Sequence, residues 1–427
     1  MPEELTYLFR LEQFGIKFGL DNIRTILARL DHPERAFRSV HIAGTNGKGS
    51  VTAMVDAALR AAGHRSARYT SPHLMDLTER FVVNGRAVTR ESLCDAAARV
   101  RGVIERLRTS GGLQAEPTFF EATTAVAFEL FRRAAVEIAV VEVGLGGRLD
   151  STNVITPEVT AITSIDFDHQ QYLGATLRKI AFEKAGIIKT GVPVVVDDLH
   201  EEAAAVVAEV AHERRAELIG AWKGVSVERG RLDGQLIRLR TPVRDYGEIR
   251  LALRGRHQVA NAVVAVRLLE TLDARGLAVP AEAVVRGLTT VWWPGRLDHR
   301  TFSDGREILM DAAHNPGGAA ALAVYLAELD GPTPPLVFAA MRDKDTAAML
   351  RALLPTVSRV FLTRASNLRS ADPDLLVEQA HRLAPSVPAE AQPSPHDALA
   401  AAWAVAPRIV VAGSIFLLGD VMREIGA

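Results

Sequence analysis

The chain has 427 residues, enough for two or three domains, and carries 50 lysine and arginine residues against 51 aspartate and glutamate residues. The resulting net charge of −1 lacks the basic excess that nucleic-acid-binding proteins and proteins attracted to anionic lipids need, so neither partner is expected. The single cysteine excludes an internal disulfide. The sequence has no long apolar segment, and no apolar run follows its acidic N-terminus. Together these features predict a soluble, cytoplasmic protein.

The most informative feature is a glycine-rich loop between a predicted strand at residues 39–43 and a predicted helix. The apolar residues on one face of that helix are Val51, Met54, Val55, Ala58, Leu59 and Ala62. Glycines let backbone amides approach a polyphosphate, and the helix N-terminus and Lys48 add positive charge. The predicted phosphate-binding residues are Gly44, Thr45, Asn46, Gly47, Lys48, Gly49 and Ser50.

This loop differs from the usual phosphate loop, in which a hydroxyl residue follows the lysine directly. Here Gly49 separates Lys48 from Ser50. The alternative interpretation is a glycine-rich turn with a surface lysine, but the order of strand, loop and helix favours nucleotide binding.

Apolar strands alternate with amphipathic helices along most of the chain. Further strands are predicted at residues 66–70, 138–143, 159–165 and 192–196. This alternation is typical of a doubly wound parallel sheet. Short strands with glycine turns then interrupt the pattern at 225–232, 235–239 and 248–253 and predict a small antiparallel sheet. Helices are predicted to follow at 258–275 and 280–288.

A hinge is predicted where Pro294 and Gly295 interrupt the pattern, and packing between domains is the simplest interpretation of Trp292 and Trp293. Beyond the hinge, strands at 308–310, 336–339, 359–362 and 408–411 each precede a helix. We therefore predict an α/β fold with two domains, 1–295 and 296–427. The first holds a P-loop, a doubly wound, mainly parallel sheet and the small antiparallel sheet, and the second is Rossmann-like.

Polar side chains stand at two predicted strand ends, where doubly wound sheets bind ligands. Glu142 follows the apolar residues 138–141, and an acidic residue beside a phosphate loop can hold Mg²⁺ directly or through water. Asp166, Asp168 and His169 follow the strand at 159–165 in the same way. Solvated or purely structural side chains are the alternative at both places.

Lys184 occupies an unusual position in a helix predicted at 175–185. It falls on the apolar stripe formed by Leu177, Ile180 and Ala181. A solvated or snorkelling lysine is one interpretation. The other is a desolvated lysine with a lowered pKa, whose neutral amine can react.

These motifs resemble the folylpolyglutamate synthase/dihydrofolate synthase family, a branch of the Mur ligase superfamily. The resemblance runs nearly end to end and rests on nine sequence blocks in the family's order. The blocks are residues 14–20, 44–50, 70–74, 142–153, 168–170, 183–187, 255–262, 293–296 and 311–316. The phosphate loop with Gly49 inserted before Ser50 is the form found in this branch.

The resemblance implies an ATP-dependent amide ligase. ATP would phosphorylate a carboxylate of dihydropteroate or of a reduced folate, and the amine of L-glutamate would attack the acyl phosphate. Domain 1–295 would bind ATP and domain 296–427 would bind glutamate. The resemblance further implies a monomer that uses Mg²⁺, with two ions expected, and K⁺.

Site residues follow from the matched blocks. ATP contacts beyond the phosphate loop are implied for Asn261, Arg296 and Asp311. Mg²⁺ ligands are implied for Ser71, Glu142 and His169. Catalytic roles are implied for Lys48, for Lys184 as a carbamylated lysine and for His314, and substrate contacts for Phe120, His314 and Ser414. At 258 this chain has glutamine where the family usually has asparagine, and core packing of Phe120 and helix capping by Ser414 remain alternatives.

Other functions fit the sequence less well. A Mur-type ligase acting on a cell-wall nucleotide-peptide normally carries an additional N-terminal domain, and only about forty residues precede the loop here. A regulatory GTPase would need an Asn-Lys-x-Asp motif, which the sequence lacks. A non-catalytic nucleotide-binding scaffold would not need the glutamate-side residues His314 and Ser414. An enzyme restricted to folylpolyglutamate synthesis remains an alternative to a bifunctional one.

Overall fold

The computed structural model describes residues 2–15, 18–113, 115–229 and 235–426. Its largest element is an eight-stranded sheet in the order β4-β3-β2-β5-β1-β6-β7-β8. The strands are β1 (Arg38–Ala43), β2 (Ser66–Tyr69), β3 (Phe81–Val83), β4 (Arg86–Ala87), β5 (Ile138–Glu142), β6 (Val159–Ile162), β7 (Val194–Val196) and β8 (Leu218–Gly220). All neighbouring strands pair in parallel except at β3 and β4, so the predicted mainly parallel sheet is confirmed.

Helices cover both faces of this sheet. They are α1 (Glu3–Arg10), α2 (Asp21–Arg29), α3 (Lys48–Ala61), α4 (Arg90–Thr109), α5 (Phe119–Arg133), α6 (Gln170–Leu173), α7 (Leu177–Ala185) and α8 (Glu201–Glu213). The central strand β1 lies between β5 and β6 and is buried from its second residue onward, as a strand covered on both faces must be. This packing places the carboxyl end of β1, and the loop that follows it, at one edge of the sheet.

A three-stranded antiparallel sheet follows, in the order β11-β10-β9. It consists of β9 (Ser226–Arg229), β10 (Leu236–Arg240) and β11 (Asp245–Arg250), and α9 (Arg256–Ala274) and α10 (Ala281–Thr290) come next. The third strand was predicted at 248–253, but β11 begins and ends three residues earlier. The start was missed because Asp245 and Gly247 pair with β10 although neither is apolar. Residues 230–232 of the predicted first strand, and residues 16 and 17 of the upstream block, lie outside the described residues.

The C-terminal sheet has six strands in the order β12-β13-β17-β14-β15-β16. The strands are β12 (Asp298–Thr301), β13 (Glu307–Met310), β14 (Leu336–Phe338), β15 (Val360–Leu362), β16 (Ala389–Ala391) and β17 (Arg408–Ala412). The helices are α11 (Pro316–Ala327), α12 (Thr346–Leu353), α13 (Pro373–Leu383), α14 (Pro395–Val405) and α15 (Ile415–Glu424). Only β12 pairs antiparallel, and the predicted C-terminal α/β unit is confirmed.

Five strands of the two large sheets were not predicted from the sequence: β3, and the four edge strands β4, β8, β12 and β16. Edge strands are half exposed and therefore lack the continuous apolar run by which the central strands were identified. The domain boundary predicted between residues 295 and 296 falls between α10 and β12 and stays a prediction. Among the helices of the described residues, none has both the length and the apolar character needed to cross a bilayer.

Candidate active site

The glycine-rich loop joins the end of β1 to the start of α3, as the sequence predicted. At two positions of the loop, neighbouring side chains leave room for glycine alone. A Cβ at Gly44 would lie 1.8 Å from Oγ1 of Thr163, and a Cβ at Gly47 would lie 2.3 Å from Oδ1 of Asn261. Gly47 also has a φ of +87°, which disfavours other residues. The loop is therefore shaped by its neighbours on both sides.

Residues just beyond β6 fasten this loop in place. The backbone N–H of Thr45 donates to the carbonyl of Ser164 at 2.6 Å. Oγ1 of Thr163 donates to the carbonyl of Asn46 at 2.7 Å. These residues were predicted to continue the strand to 165, but β6 ends at Ile162 and the next residues hold the loop instead.

Two lysine side chains converge on one carbonyl of the loop. The ammonium of Lys48 donates to the carbonyl of Gly44 at 3.0 Å and to that of Thr45 at 3.0 Å. Nζ of Lys184, on α7, donates to the same Gly44 carbonyl at 2.7 Å. Lys184 is only 4% exposed, which excludes the solvated lysine that the sequence left open. Burial, with the positive charge of Lys48 as a smaller cause, lowers the pKa of Lys184 to about 7.

The three residues predicted to bind Mg²⁺ come together at the edge of the sheet. Oε2 of Glu142, at the end of β5, accepts a hydrogen bond from the backbone N–H of Ser71 at 3.2 Å. Burial raises the pKa of Glu142, against the effect of nearby Lys48. Burial also lowers the pKa of His169 to about 4, so its imidazole is neutral and able to donate a lone pair.

This donor set suits a cation that is only partly held by protein. Within the described ranges, no group of three histidine, cysteine, aspartate or glutamate side chains could hold a metal alone. Mg²⁺ is usually bound through one or two carboxylates, with substrate phosphates and waters completing its shell. A buried carboxylate beside a phosphate loop fits that arrangement, because a cation would offset the cost of burying its charge.

A cavity of about 340 Å³ brings together most of the predicted site. It is lined by all ten predicted ATP-binding residues, by Ser71, Glu142 and His169, and by Lys184 and His314. Asn261 donates to Oε1 of Gln258 at 3.0 Å, so the longer side chain at 258 still supports Asn261. Asp311 accepts from the N–H groups of Leu297 and Ala313, each at 2.9 Å.

A second cavity of about 540 Å³ adjoins the first and contains Phe120, His314 and Ser414. Seven residues line both cavities, namely Ser71, Pro72, Gly144, Leu145, His169, His314 and Ile415. Because the walls are shared, a carboxylate bound at one end of the second cavity would lie beside the phosphate loop. We refer to these two adjoining cavities together as the cleft.

Phe120 has two contacts besides the second cavity. Its ring stacks on Tyr69 with centroids 6.0 Å apart, and a Cβ at Gly144 would lie 2.5 Å from its Cζ. Phe120 lies in the first turn of α5. The helix starts there because Thr118 and Glu121 form a reciprocal capping box, with hydrogen bonds of 3.1 and 2.8 Å.

The C-terminal sheet contributes His314 and Ser414. Nδ1 of His314 lies 2.8 Å from the carbonyl of Ala312, which can only accept, so Nδ1 carries the proton and Nε2 can accept. Burial, and then the charge of Lys344, lowers the pKa of His314 to about 4. Oγ of Ser414 accepts from the N–H of Phe416 at 3.1 Å, so it caps α15 as well as lining the cavity.

Sequence reasoning did not find the group that joins the two large sheets at the cleft. Lys344 donates to Oδ1 of Asp168 at 2.6 Å, and Asn315 donates to Oδ2 of Asp168 at 3.0 Å and to Asn46 at 2.9 Å. Burial raises the pKa of Asp168, but His169 and Lys344 outweigh it and lower that pKa below its ordinary value. Lys344 follows the carboxyl end of β14, where doubly wound sheets bind ligands, and this position is the signal in the sequence that could have identified it.

The two tryptophans at the hinge differ in their surroundings. Trp292 is 69% exposed, so the interpretation of both residues as packing between domains was wrong for this one. Trp293 packs on Gly49 of the phosphate loop.

Comparison with known proteins identifies the family. Residues 42–269 match the Mur ligase middle domain, and residues 295–415 match the Mur ligase glutamate ligase domain. The folylpolyglutamate synthase of Lacticaseibacillus casei is 34% identical over 430 residues, which cover 99% of this chain and 98% of that protein. The dihydrofolate synthase/folylpolyglutamate synthase of Bacillus subtilis is 36% identical over 80% of each chain.

Some relatives are longer than this chain. It covers 45% of a probable bifunctional folylpolyglutamate synthase/dihydropteroate synthase of Haloferax volcanii, at 35% identity over 89% of the present chain. The chain thus spans about half the length of that relative.

Solved structures agree over the whole chain. The structure of Mycobacterium tuberculosis folylpolyglutamate synthase complexed with ADP and AMPPCP has a TM-score of 0.91 and 32% identity, covering 100% of this chain and 99% of that one. Escherichia coli FolC in complex with DHPP and ADP has a TM-score of 0.87 and 28% identity, with the same coverage. The family predicted from nine sequence blocks is confirmed: the chain belongs to the folylpolyglutamate synthase/dihydrofolate synthase branch of the Mur ligases, a group of ATP-dependent ligases.

Proposed function

We propose that the protein joins the α-amine of L-glutamate to the carboxylate of dihydropteroate and to the γ-carboxylate of reduced folates, at the expense of ATP. The observation that carries this proposal is the cleft formed by the two adjoining cavities. It has a phosphate loop and two lysines at one end and an aromatic, partly apolar pocket at the other. The proposal is supported by the E. coli relative, which has been solved in complex with both DHPP and ADP.

The reaction proceeds in two steps. A carboxylate oxygen of the pterin substrate attacks the γ-phosphorus of ATP, the bond to the β-phosphate oxygen breaks, and ADP leaves. The glutamate amine then attacks the acyl carbon and loses a proton, an amide forms and phosphate departs. Because charge builds on phosphoryl and acyl oxygens, positioning and cations account for most of the catalysis.

On the nucleotide side, the loop residues 44–50 would hold the phosphates through backbone N–H groups and the N-terminus of α3. Lys48 would exchange its carbonyl partners for phosphoryl oxygens and oppose the charge that develops there. Asn261, Arg296 and Asp311 line the same cavity and would contact the rest of the nucleotide.

Ser71, Glu142 and His169 would hold Mg²⁺, which supplies charge neutralisation between the phosphates. Lys184, whose pKa of about 7 leaves much of its amine neutral at physiological pH, would react with CO₂ to give a carbamate. That anion would accept contacts from a second Mg²⁺ or from K⁺. Carbamylation would convert Lys184 from a second buried cation into an anion that attracts Lys48. This change would account for the presence of two lysines at the carbonyl of Gly44.

On the glutamate side, Nδ1 of His314 donates to the carbonyl of Ala312, and its Nε2 would accept a hydrogen bond from the incoming amine. Lys344 contacts Asp168 and His169 and would bind a carboxylate of glutamate, with Arg369 lining the same cavity. Ser414 would fix the backbone at that wall by capping α15. Phe120 would stack on the pterin from the opposite wall.

The test is one assay with separate substrates. Purified protein is given ATP, L-glutamate and either dihydropteroate or tetrahydrofolate, and glutamate-dependent ADP release and the folate product are measured. We expect products from both substrates. Extension of tetrahydrofolate alone would restrict the enzyme to polyglutamate synthesis, and no reaction with either would contradict the substrate assignment. A cytoplasmic location and a monomeric state stay predictions.

A further inference from the structure

Trp293 is a partly buried aromatic residue to which the proposed chemistry gives no role. It lies between α10 and β12 and packs against the core of the eight-stranded sheet, whereas its neighbour Trp292 projects into solvent. Its indole lies directly on Gly49. A Cβ at Gly49 would lie 2.8 Å from Cζ2, 3.2 Å from Cε2 and 3.2 Å from Nε1 of the indole. The indole therefore fills the space that a side chain at position 49 would need.

Space, and not backbone conformation, requires glycine at position 49. Gly49 lies within α3 and has no positive φ, unlike Gly44 and Gly47 of the same loop. In a helix, alanine is favoured over glycine when nothing opposes the added methyl group. The glycine inserted between Lys48 and Ser50 is therefore explained by the indole that rests on it.

Trp293 has a second contact, with Arg68 of β2, which is itself bonded to α3 through Asp56. The guanidinium carbon of Arg68 lies 5.2 Å from the centre of the indole, close enough for a cation–π contact. Nη1 of Arg68 donates to Oδ2 of Asp56 at 3.3 Å, and Asp56 is on the face of α3 that also carries Gly49, two turns earlier. Oγ of Ser66 donates to Oδ1 of Asp56 at 2.5 Å and fixes this carboxylate.

Ring shape and stacking hold Trp293, since a hydrogen bond does not. Among the residues that the structure describes, Nε1 of Trp293 and Nε of Arg68 are buried without a hydrogen-bond partner. The observed contacts of Trp293 are therefore made by the surface of its ring, on Gly49 and Arg68.

The packing of Trp293 affects the position of Arg296, which lies three residues further along the chain. Arg296 lines the cavity at the phosphate loop, and three residues span at most about 10 Å. Beyond Trp293 the chain is held by the C-terminal sheet, because the N–H of Ala312 donates to the carbonyl of Gly295 at 2.8 Å. The segment therefore has one anchor on α3 and one on the C-terminal sheet, with Arg296 close to both.

We propose that Trp293 is a positioning residue for the nucleotide. By seating on Gly49 it ties the segment between the two large sheets to the first turn of α3, and this sets Arg296 opposite the phosphate loop. The indole of Trp293 can pack on α3 only if residue 49 is glycine, and glycine is needed at position 49 only because the indole lies there. The inference rests on the proposed use of ATP at this cleft.

The experiment is a double-mutant cycle on the full chain, with ADP affinity measured by calorimetry and kcat and KM measured for ATP and glutamate. Gly49→Ala and Trp293→Ala should each weaken ADP binding and raise KM for ATP by about 10-fold, as expected for residues in direct contact. KM for glutamate should not change. The double variant should be no weaker than Trp293→Ala, because the methyl group has room once the indole is gone. Trp292→Ala is the matched control and should bind ADP as the unaltered protein does.

Circular dichroism checks that each variant is folded. If Trp293→Ala is not, Trp293→Phe is used in both backgrounds, since a phenyl ring lacks the indole atoms nearest to position 49. Additive effects in the cycle, or unchanged ADP binding by folded Gly49→Ala, would overturn the inference while leaving the proposed function intact. Failure of the unaltered protein to bind ADP would overturn both.

Discussion

The two halves of the cleft are built in different ways. Seven consecutive residues, 44–50, form one continuous part of the nucleotide cavity, and distant residues such as Asn261 and Asp311 complete its lining. The second cavity takes its wall from residues as far apart as Phe9 and Phe416. A phosphate is bound largely by backbone amides, which a short local motif can arrange, whereas a pterin and an amino acid need side chains that only tertiary packing brings together.

Residues of the second cavity also stabilise the fold. Ser414 caps a helix and Phe120 stacks on a buried tyrosine. If the two cavities are as distinct as this comparison indicates, substitutions on the nucleotide side should change the kinetics for ATP or the turnover. Those in the second cavity should change the kinetics for glutamate or the pterin and should also lower stability.

Lys48→Ala should have the largest effect. It removes the cation that opposes charge on the transferred phosphoryl group, so we expect kcat to fall by at least about 100-fold. Steady-state kinetics against Lys223→Ala, an exposed lysine away from the cleft, provide the comparison. Normal turnover by folded Lys48→Ala would show that the loop is not the phosphate site.

Lys184→Ala should lower kcat by about 10- to 100-fold, the range for loss of a group that orients a metal ion. Acetate should restore part of this activity if a carboxylate on the residue is what the site needs. Labelled CO₂ should give a carbamate signal by NMR in the unaltered protein and none in the variant. A silent NMR spectrum together with an active variant would return Lys184 to a structural role.

Lys344→Met tests the second cavity. Loss of a charge-assisted contact to a glutamate carboxylate should raise KM for glutamate by about 10-fold, with KM for ATP unchanged. Lys344→Arg keeps the charge and should retain most of the affinity. Equal increases in KM for ATP and glutamate would instead assign Lys344 to holding the two sheets together through Asp168.

Phe120→Leu should have a smaller effect, of about 5-fold on KM for dihydropteroate, since an aromatic contact contributes modestly beyond its buried area. The melting temperature should also fall, because the stack on Tyr69 is lost. Phe302→Leu removes an aromatic contact with Trp403 in the C-terminal part and should lower stability without changing KM. Unchanged kinetics in Phe120→Leu would leave core packing as its role.

The pH dependence of stability tests the burial of Lys184 without reference to catalysis. The pKa of Lys184 is about 7 in the folded protein and near 10.4 when unfolded, so the unfolded chain binds more protons between these values. Stability contributed through this residue therefore rises with pH from about 7 to 10. In CO₂-free buffer, Lys184→Met should be more stable than the unaltered protein, by a margin greatest below pH 7 that shrinks as pH rises. A margin independent of pH would contradict the lowered pKa.

The sequence alone determined the family, the alternation of strands and helices and the phosphate loop, because each depends on local pattern. Periodicity of apolar residues identified the buried central strands, and glycines next to Lys48 identified the loop. It also singled out Lys184, since a lysine on an apolar stripe is a local anomaly that burial then confirmed.

Only the tertiary structure decided which distant residues meet. The edge strands were missed because half-exposed strands carry no continuous apolar run. Lys344 was missed because its partner Asp168 lies in another sheet, and nothing near either residue in the chain announces the other. The sequence showed Gly49 as an insertion in the loop but not why glycine is needed there. The reason is the indole of Trp293, which is far away in the chain and lies on Gly49 in the structure. Local physics fixes what each segment can bind, and packing between segments fixes what it faces.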